Sequence, residues 1–133
     1  MMARWALAWC VLFTAGCATG PTSSPLLVSA SAGQYEVPAV AQVLATNQSD
    51  RPLYLFPCIQ VQQQSTTGSW VSEANGGCSS TTVLLRVAPG ATDSALSATF
   101  FTSGTWRVGV SYGTDSSGAR SGESFSNSFA VVQ

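Results

Sequence analysis

After residue 24, no segment of ten residues or more repeats its apolar positions every three or four, whereas alternation with a period of two recurs as far as the C-terminus. A surface helix buries a stripe with a period of 3.6 and a half-buried strand alternates with a period of two, so the pattern predicts strands. The clearest is 104–112 (GTWRVGVSY), with Trp106, Val108, Val110 and Tyr112 on one face and Arg107, Gly109 and Ser111 on the other. The stretch 40–58 (VAQVLATNQSDRPLYLFPC) reads as two short strands, 40–46 and 53–56, joined by the polar turn 47–52 and ending on a cysteine. In the first of these the inward face is open: Val40 and Leu44 lie on one side, Ala41, Val43 and Ala45 on the other. Asn47 is expected to cap the turn, and Pro52 keeps a helix from starting there.

Further strands are expected at 25–29, 34–37, 59–64, 70–71, 81–88, 92–101 and 123–132. In 81–88, Val83, Leu85 and Val87 share a face opposite Arg86; in 123–132, Phe125, Phe129 and Val131 share one. Pro89-Gly90 reads as a tight turn. About seven to nine short strands with regular turn signals predict an all-β fold, an antiparallel β-sandwich. A chain of 133 residues that is 45% hydrophobic carries one core as the prior expectation.

The first sixteen residues, MMARWALAWCVLFTAG, hold one basic residue, Arg4, and then an apolar run from Trp5 to Phe13. That run is shorter than the roughly 20 residues a membrane-spanning helix needs and fits the apolar region of a secretory signal peptide. It ends in Thr14-Ala15-Gly16-Cys17, which resembles the lipobox of bacterial lipoproteins; Thr14 stands where that pattern usually has leucine. The resemblance implies that Cys17 is lipidated and becomes the mature N-terminus; ordinary cleavage near Ala15 or Ala18 is the other reading. Residues 1–16 are then the signal peptide, 17–24 the lipidated cysteine with a short flexible tether, and 25–133 the sandwich. Ala18 rather than aspartate follows Cys17, and by Gram-negative lipoprotein sorting this directs the protein to the outer membrane, facing the periplasm or the surface. The expected partners are the membrane, through the anchor, and an envelope protein.

With Cys10 removed and Cys17 assigned to lipid, Cys58 and Cys78 remain. Export places them in an oxidising compartment, where a disulfide is expected. Closing a loop of about 20 residues would contribute roughly 3 kcal/mol. A zinc site or a catalytic thiol would want histidine, and the chain has none.

The runs VLATNQSDRPLYL, LLRVAPGATDS and GTWRVGVSY…ESFSNSFAV resemble bacterial immunoglobulin-like or fibronectin-III-like sandwich domains over 40–132. The same pattern is loosely similar to BsuPI-type proteinase-inhibitor domains. Neither resemblance implies catalytic residues or a cofactor. The first implies an immunoglobulin-like binding or structural accessory module; the second implies an inhibitor that presents an exposed loop, with 65–77 as the candidate. Cys78 lies in a Gly-rich loop rather than mid-strand, unlike the antibody arrangement.

Absent residues narrow the chemistry further. Without histidine a Ser-His-Asp triad and a His-ligated metal are excluded, and without lysine so is Schiff-base chemistry. Net charge is −1 and only 8% of residues are charged. Arg51, Arg86, Arg107 and Arg120 are scattered singly, which argues against a nucleic-acid-binding face. The six carboxylates, Glu36, Asp50, Glu73, Asp93, Asp115 and Glu123, fall in or next to expected turns and are read as solvated acids rather than a glycosidase pair. A calcium site at Asp115, Ser116 and Ser117 is poor in ligands. Candidate binding positions are Trp70, Asp115 and Arg120, in or beside the loops 65–77 and 113–122; core packing is the other reading for Trp70, and plain connectors for the loops.

Overall fold

The computed structural model describes residues 24–73 and 83–133, and among them every regular element is a strand. Ten strands are seen rather than seven to nine: β1 (Leu26–Ala30), β2 (Gln34–Glu36), β3 (Ala39–Asn47), β4 (Leu53–Gln64), β5 (Trp70–Glu73), β6 (Leu85–Val87), β7 (Thr92–Phe100), β8 (Gly104–Gly113), β9 (Gly122–Phe125) and β10 (Phe129–Val132). They form two sheets. One has the order β1-β3-β7; the other has the order β2-β10-β8-β4-β5, with β6 also on β4 and β9 on β8. All pairings are antiparallel except β2 with β10. This is an antiparallel sandwich in which β1, β3 and β7 face β10, β8 and β4, as in an immunoglobulin-like arrangement. The expected signal peptide with Cys10, Cys17 and the expected tether up to residue 23 lie outside the described residues, as does Cys78.

Alternation decides which side chains meet between the sheets. The open question of the 40–46 face is settled by Ala39, Ala41, Val43, Ala45 and Asn47 turning inward, while Val40 is 66% exposed. Opposite them, Val108 and Val110 of β8 and Leu55, Ile59 and Val61 of β4 are buried. Small alanines on β3 leave room for the large residues of the facing sheet, a complementarity needed for close packing. At one end of the core, Phe100 packs edge-to-face on Trp106 and on Phe129, and Tyr35 packs on Phe129. Trp106 is a core residue, as its alternation implies, and its indole Nε1 is buried without a protein partner.

The segments 53–56 and 59–64 are one continuous strand. Between Leu55 and Ile59 the ladder to β8 shifts, since Leu55 pairs with Tyr112 and Ile59 with Val110. Two extra residues are thus absorbed at Phe56-Pro57-Cys58, where Pro57 has no N–H to give the ladder. Because two is one full period, Leu53, Leu55, Ile59 and Val61 all stay inward. Of the expected strand 81–88, residues 83–88 are described, and among them only 85–87 are paired; Val83 is 67% exposed, while Leu85 is half-buried and Val87 buried.

Phe125 also departs from expectation, because it does not share the inward face of Phe129 and Val131. The strand stops after Phe125 and restarts at Phe129. Ser124 and Ser126 take the inward positions, where the Ser126 hydroxyl accepts from the Val108 N–H at 3.1 Å. That phase reversal turns Phe125 outward, over Gly109.

Asn47 does more than cap a turn. It ends β3 in one sheet just before the chain crosses to β4 in the other, and it is fully buried. Its Nδ2 donates to the carbonyls of Arg51 (2.7 Å) and Val87 (3.0 Å). Its Oδ1 accepts from the Ser49 N–H (2.9 Å) and hydroxyl (2.7 Å). Its backbone closes the 88–91 turn through Ala91 and Gly90. Gly90 has φ +75°, a conformation that favours glycine there.

Candidate functional site

Sheet geometry sends every second residue of β4, β5, β8 and β9 to the outer face of the seven-stranded sheet. Register then sets who meets whom: Gln62 is paired with Arg107 across β4–β8 and with Ser72 across β4–β5, and Ser111 with Glu123 across β8–β9. The result is a continuous row of hydrogen bonds across the sheet. The Ser111 hydroxyl donates to Glu123 Oε2 at 3.1 Å. The Gln60 amide is oriented so that Nε2 donates to both Glu123 oxygens at 3.0 Å and Oε1 accepts from the Ser72 hydroxyl at 2.8 Å. Gln62 Nε2 donates to the same hydroxyl at 3.3 Å, and Gln62 Oε1 accepts from Arg107 Nε at 2.7 Å.

At its far end the row becomes aromatic. The Arg107 guanidinium lies 4.5 Å from the Trp70 ring centre and 4.1 Å from that of Phe125. Each such contact contributes roughly 0.5–1 kcal/mol at exposed sites and more as water is excluded. Gly109 makes this possible: a Cβ there would stand 2.5 Å from the Phe125 ring. At the other end Arg120 reaches over Phe56, 5.7 Å from the ring centre. Between the two ends lies an open groove of about 380 Å³, lined among others by Cys58, Gln60, Ser72, Ser111, Arg120 and Glu123.

The three candidate binding residues are thus distributed. Trp70 belongs to strand β5 rather than a loop, and its ring is held by Arg107 on the outer face rather than in the core. Arg120 borders the groove. Asp115 does not: its carboxylate accepts from the Ser117 N–H at 2.9 Å within its own turn. Its fully exposed carboxyl is held below the usual aspartate pKa by the side-chain and backbone hydrogen bonds of Ser117. Among the described residues no three His, Cys, Asp or Glu side chains stand together as a metal site would require.

Gln60, Gln62 and Glu123 were missed as members of a site. Alternation alone put the glutamines on the wet face of a strand; their link to Glu123 needed the register of three more strands. The groove can exchange hydrogen bonds with a ligand through an amide, a hydroxyl and a carboxylate fixed in place.

The fold and this face define the chain as an antiparallel β-sandwich with a polar outer face. No protein-family model matches it, and no curated protein matches its sequence. Among solved structures, the chain is similar to an alkylpurine DNA glycosylase of Pseudomonas fluorescens bound to DNA containing an abasic-site analogue. That likeness has a TM-score of 0.41 and 10% identity, over 84% of this chain and 31% of the glycosylase. The chain therefore spans about a third of that protein, and a likeness this distant carries no activity across.

Proposed function

We propose that this chain is a lipid-anchored bacterial cell-envelope β-sandwich, held through Cys17, that serves as a non-enzymatic binding or structural accessory module. The observation that carries the binding role is the hydrogen-bonded row from Glu123 to Arg107, fixed in place on an open face. Side chains already held in one conformation lose little entropy when a partner docks, which favours binding. Export of the chain also supports a Cys58–Cys78 disulfide, which would tie the 74–82 segment to the exposed bulge of β4. Peptide mapping of the non-reduced protein tests that bond, and two free thiols would remove it.

The inhibitor reading needs an extended segment offered to a protease. Residues 65–69 instead close a tight turn, with Gly68 N–H donating to the Ser65 carbonyl at 3.0 Å and Ser65 N–H to the Ser69 carbonyl at 2.8 Å. A panel covering the protease classes separates the two readings, since an accessory module inhibits none of them.

The deciding experiment is cross-linking of the full-length protein in the cells that make it, followed by recovery and identification of what comes with it. Arg107→Glu and Cys17→Ser serve as the two controls. The expected result is one recurrent partner, lost in Arg107→Glu, and release of Cys17→Ser to the soluble fraction. Nothing enriched over controls overturns the binding role; unchanged membrane association of Cys17→Ser overturns the anchor.

A further inference from the structure

Among the described residues Arg51, Arg86 and Arg120 are exposed, whereas Arg107 is half-buried. Trp70 reaches its guanidinium from the β5 side of the sheet, 4.5 Å to the ring centre, and Phe125 from the β9 side, 4.1 Å. Its Nε donates to Gln62 Oε1, which holds the fork in place. No acidic side chain of the described residues pairs with it. Glu123, the carboxylate of the same row, is taken up by Ser111 and Gln60 instead. The two terminal nitrogens of Arg107 therefore have no acceptor among the described residues. They are not sealed in, since the buried side-chain nitrogen left without a partner there is Trp106 Nε1.

What remains open of this cation selects its ligand. With a ring on either side and Nε taken, the terminal pair of nitrogens is the part of the fork left to donate. Parallel N–H groups at the end of a planar fork match a group with two oxygens in one plane, the geometry of a carboxylate. Charge narrows the choice in the same direction. One guanidinium balances one carboxylate, whereas a phosphate dianion would leave its second charge against electron-rich rings. The rings also give the carbon atoms beside a carboxylate an apolar wall. Because Gln62 and the rings already hold the guanidinium, little freedom is lost when a ligand docks.

We propose that Arg107 receives a carboxylate of the partner, held end-on by its two terminal nitrogens and walled by Trp70 and Phe125. The inference rests on the binding role proposed for this face and names the chemistry that the face recognises. A chain-end carboxylate and an acidic side chain of the partner share that chemistry, and the test separates them.

The test titrates the full-length protein, isotope-labelled and solubilised in non-ionic detergent, at constant ionic strength. N-acetyl-glycylglycine presents a chain-end carboxylate, N-acetylglutamic acid amide a side-chain one, and N-acetyl-glycylglycine amide neither. The expected result is a saturable shift of the Arg107 Nε–H and Trp70 indole resonances with a carboxylate probe, while the indole of core Trp106 stays in place. The tighter of the two carboxylate probes names the source. The neutral amide should bind about tenfold more weakly or worse. Arg107→Lys keeps the charge but loses the fork, and should weaken carboxylate binding by about as much. An unshifted Trp106 indole shows that its core is intact, and the neutral amide gives the same comparison without any substitution. No saturable shift with either carboxylate, an equal shift with the neutral amide, or undiminished binding by Arg107→Lys overturns the inference. Tighter binding of inorganic phosphate overturns the choice of carboxylate. Cross-linking that recovers a partner lost in Arg107→Glu keeps the binding role whatever the titration gives; cross-linking that recovers nothing overturns the role and this inference with it.

Discussion

On the seven-stranded sheet the outward positions hold Gln60, Gln62, Ser72, Arg107 and Glu123, joined side chain to side chain; on β1 and β3 of the three-stranded sheet they hold Leu27, Ser29, Val40, Gln42, Leu44 and Thr46. Both faces are built on strands that alternate with equal regularity and bury the same kind of aliphatic residue beneath. Their difference lies wholly in the positions that alternation sends outward. A β-sandwich core constrains half of each strand and leaves the other half open to function. In this protein one open half carries a continuous row of polar side chains that spans four strands, and the other carries two separate bonds between β3 and β7, from Gln42 Nε2 to the Ser94 carbonyl (3.1 Å) and between the Thr46 and Thr92 hydroxyls (2.7 Å).

The comparison breaks most readily at Asn47, which holds the crossing between the two sheets. Asn47→Ala leaves the Arg51 and Val87 carbonyls without their donor in a buried place, and should cost about 3 kcal/mol. Urea unfolding followed by the fluorescence of core Trp106 measures it. A loss below about 1 kcal/mol would mean that water replaces the amide.

The next effect belongs to the polar face. Gly109→Val drives a side chain into the space of the Phe125 ring and should cost about 2 kcal/mol. Arg107→Gln removes the cation between Trp70 and Phe125 and should cost about 1 kcal/mol. Both should shift the Trp70 indole resonance in NMR spectra, and an unmoved resonance would disprove the stacked arrangement. On the three-stranded sheet the matching change, Val40→Thr, should alter stability by about 0.5 kcal/mol or less, because little is packed against it.

The smallest effect concerns pH. The Asp115 carboxyl titrates below its ordinary value because Ser117 hydrogen-bonds its charged form. A depressed folded-state pKa adds order to the turn above the unfolded value of 3.8, and that contribution is lost as pH falls through the lower folded value. The protection factor of the Ser117 amide, its exchange corrected for the intrinsic pH dependence, should therefore fall on acidification below that point, and Asp115→Asn should remove the change. A protection factor that stays constant through this range in the wild type would disprove the link.

Much of the sandwich was legible from alternation. The face of β8, the inward pair Ile59–Val61 and the Pro89-Gly90 turn all follow from a period of two and from turn chemistry. The misses came where local signals conflict. The runs 53–56 and 59–64 read as separate strands, yet a two-residue bulge keeps phase and carries β4 onward. The phase shifts between Ser126 and Phe129, both inward, so Phe125 is apolar yet faces outward. In β3 the apolar residues alternate on both sides, and only contact with the opposite sheet selects which one is buried.

By itself, the sequence determined the class of fold, the turn at 47–52 and the chemistry the chain lacks, because periodicity, turn residues and missing histidines are local or compositional facts. Tertiary structure decided the candidate site. Gln60 and Glu123 lie far apart along the chain, and only the register of β4, β8 and β9 brings them within hydrogen-bond distance. Register is fixed by core packing on the far side of the sheet, where a slip of one residue would turn every buried side chain outward. The polar row is thus placed by the apolar residues behind it.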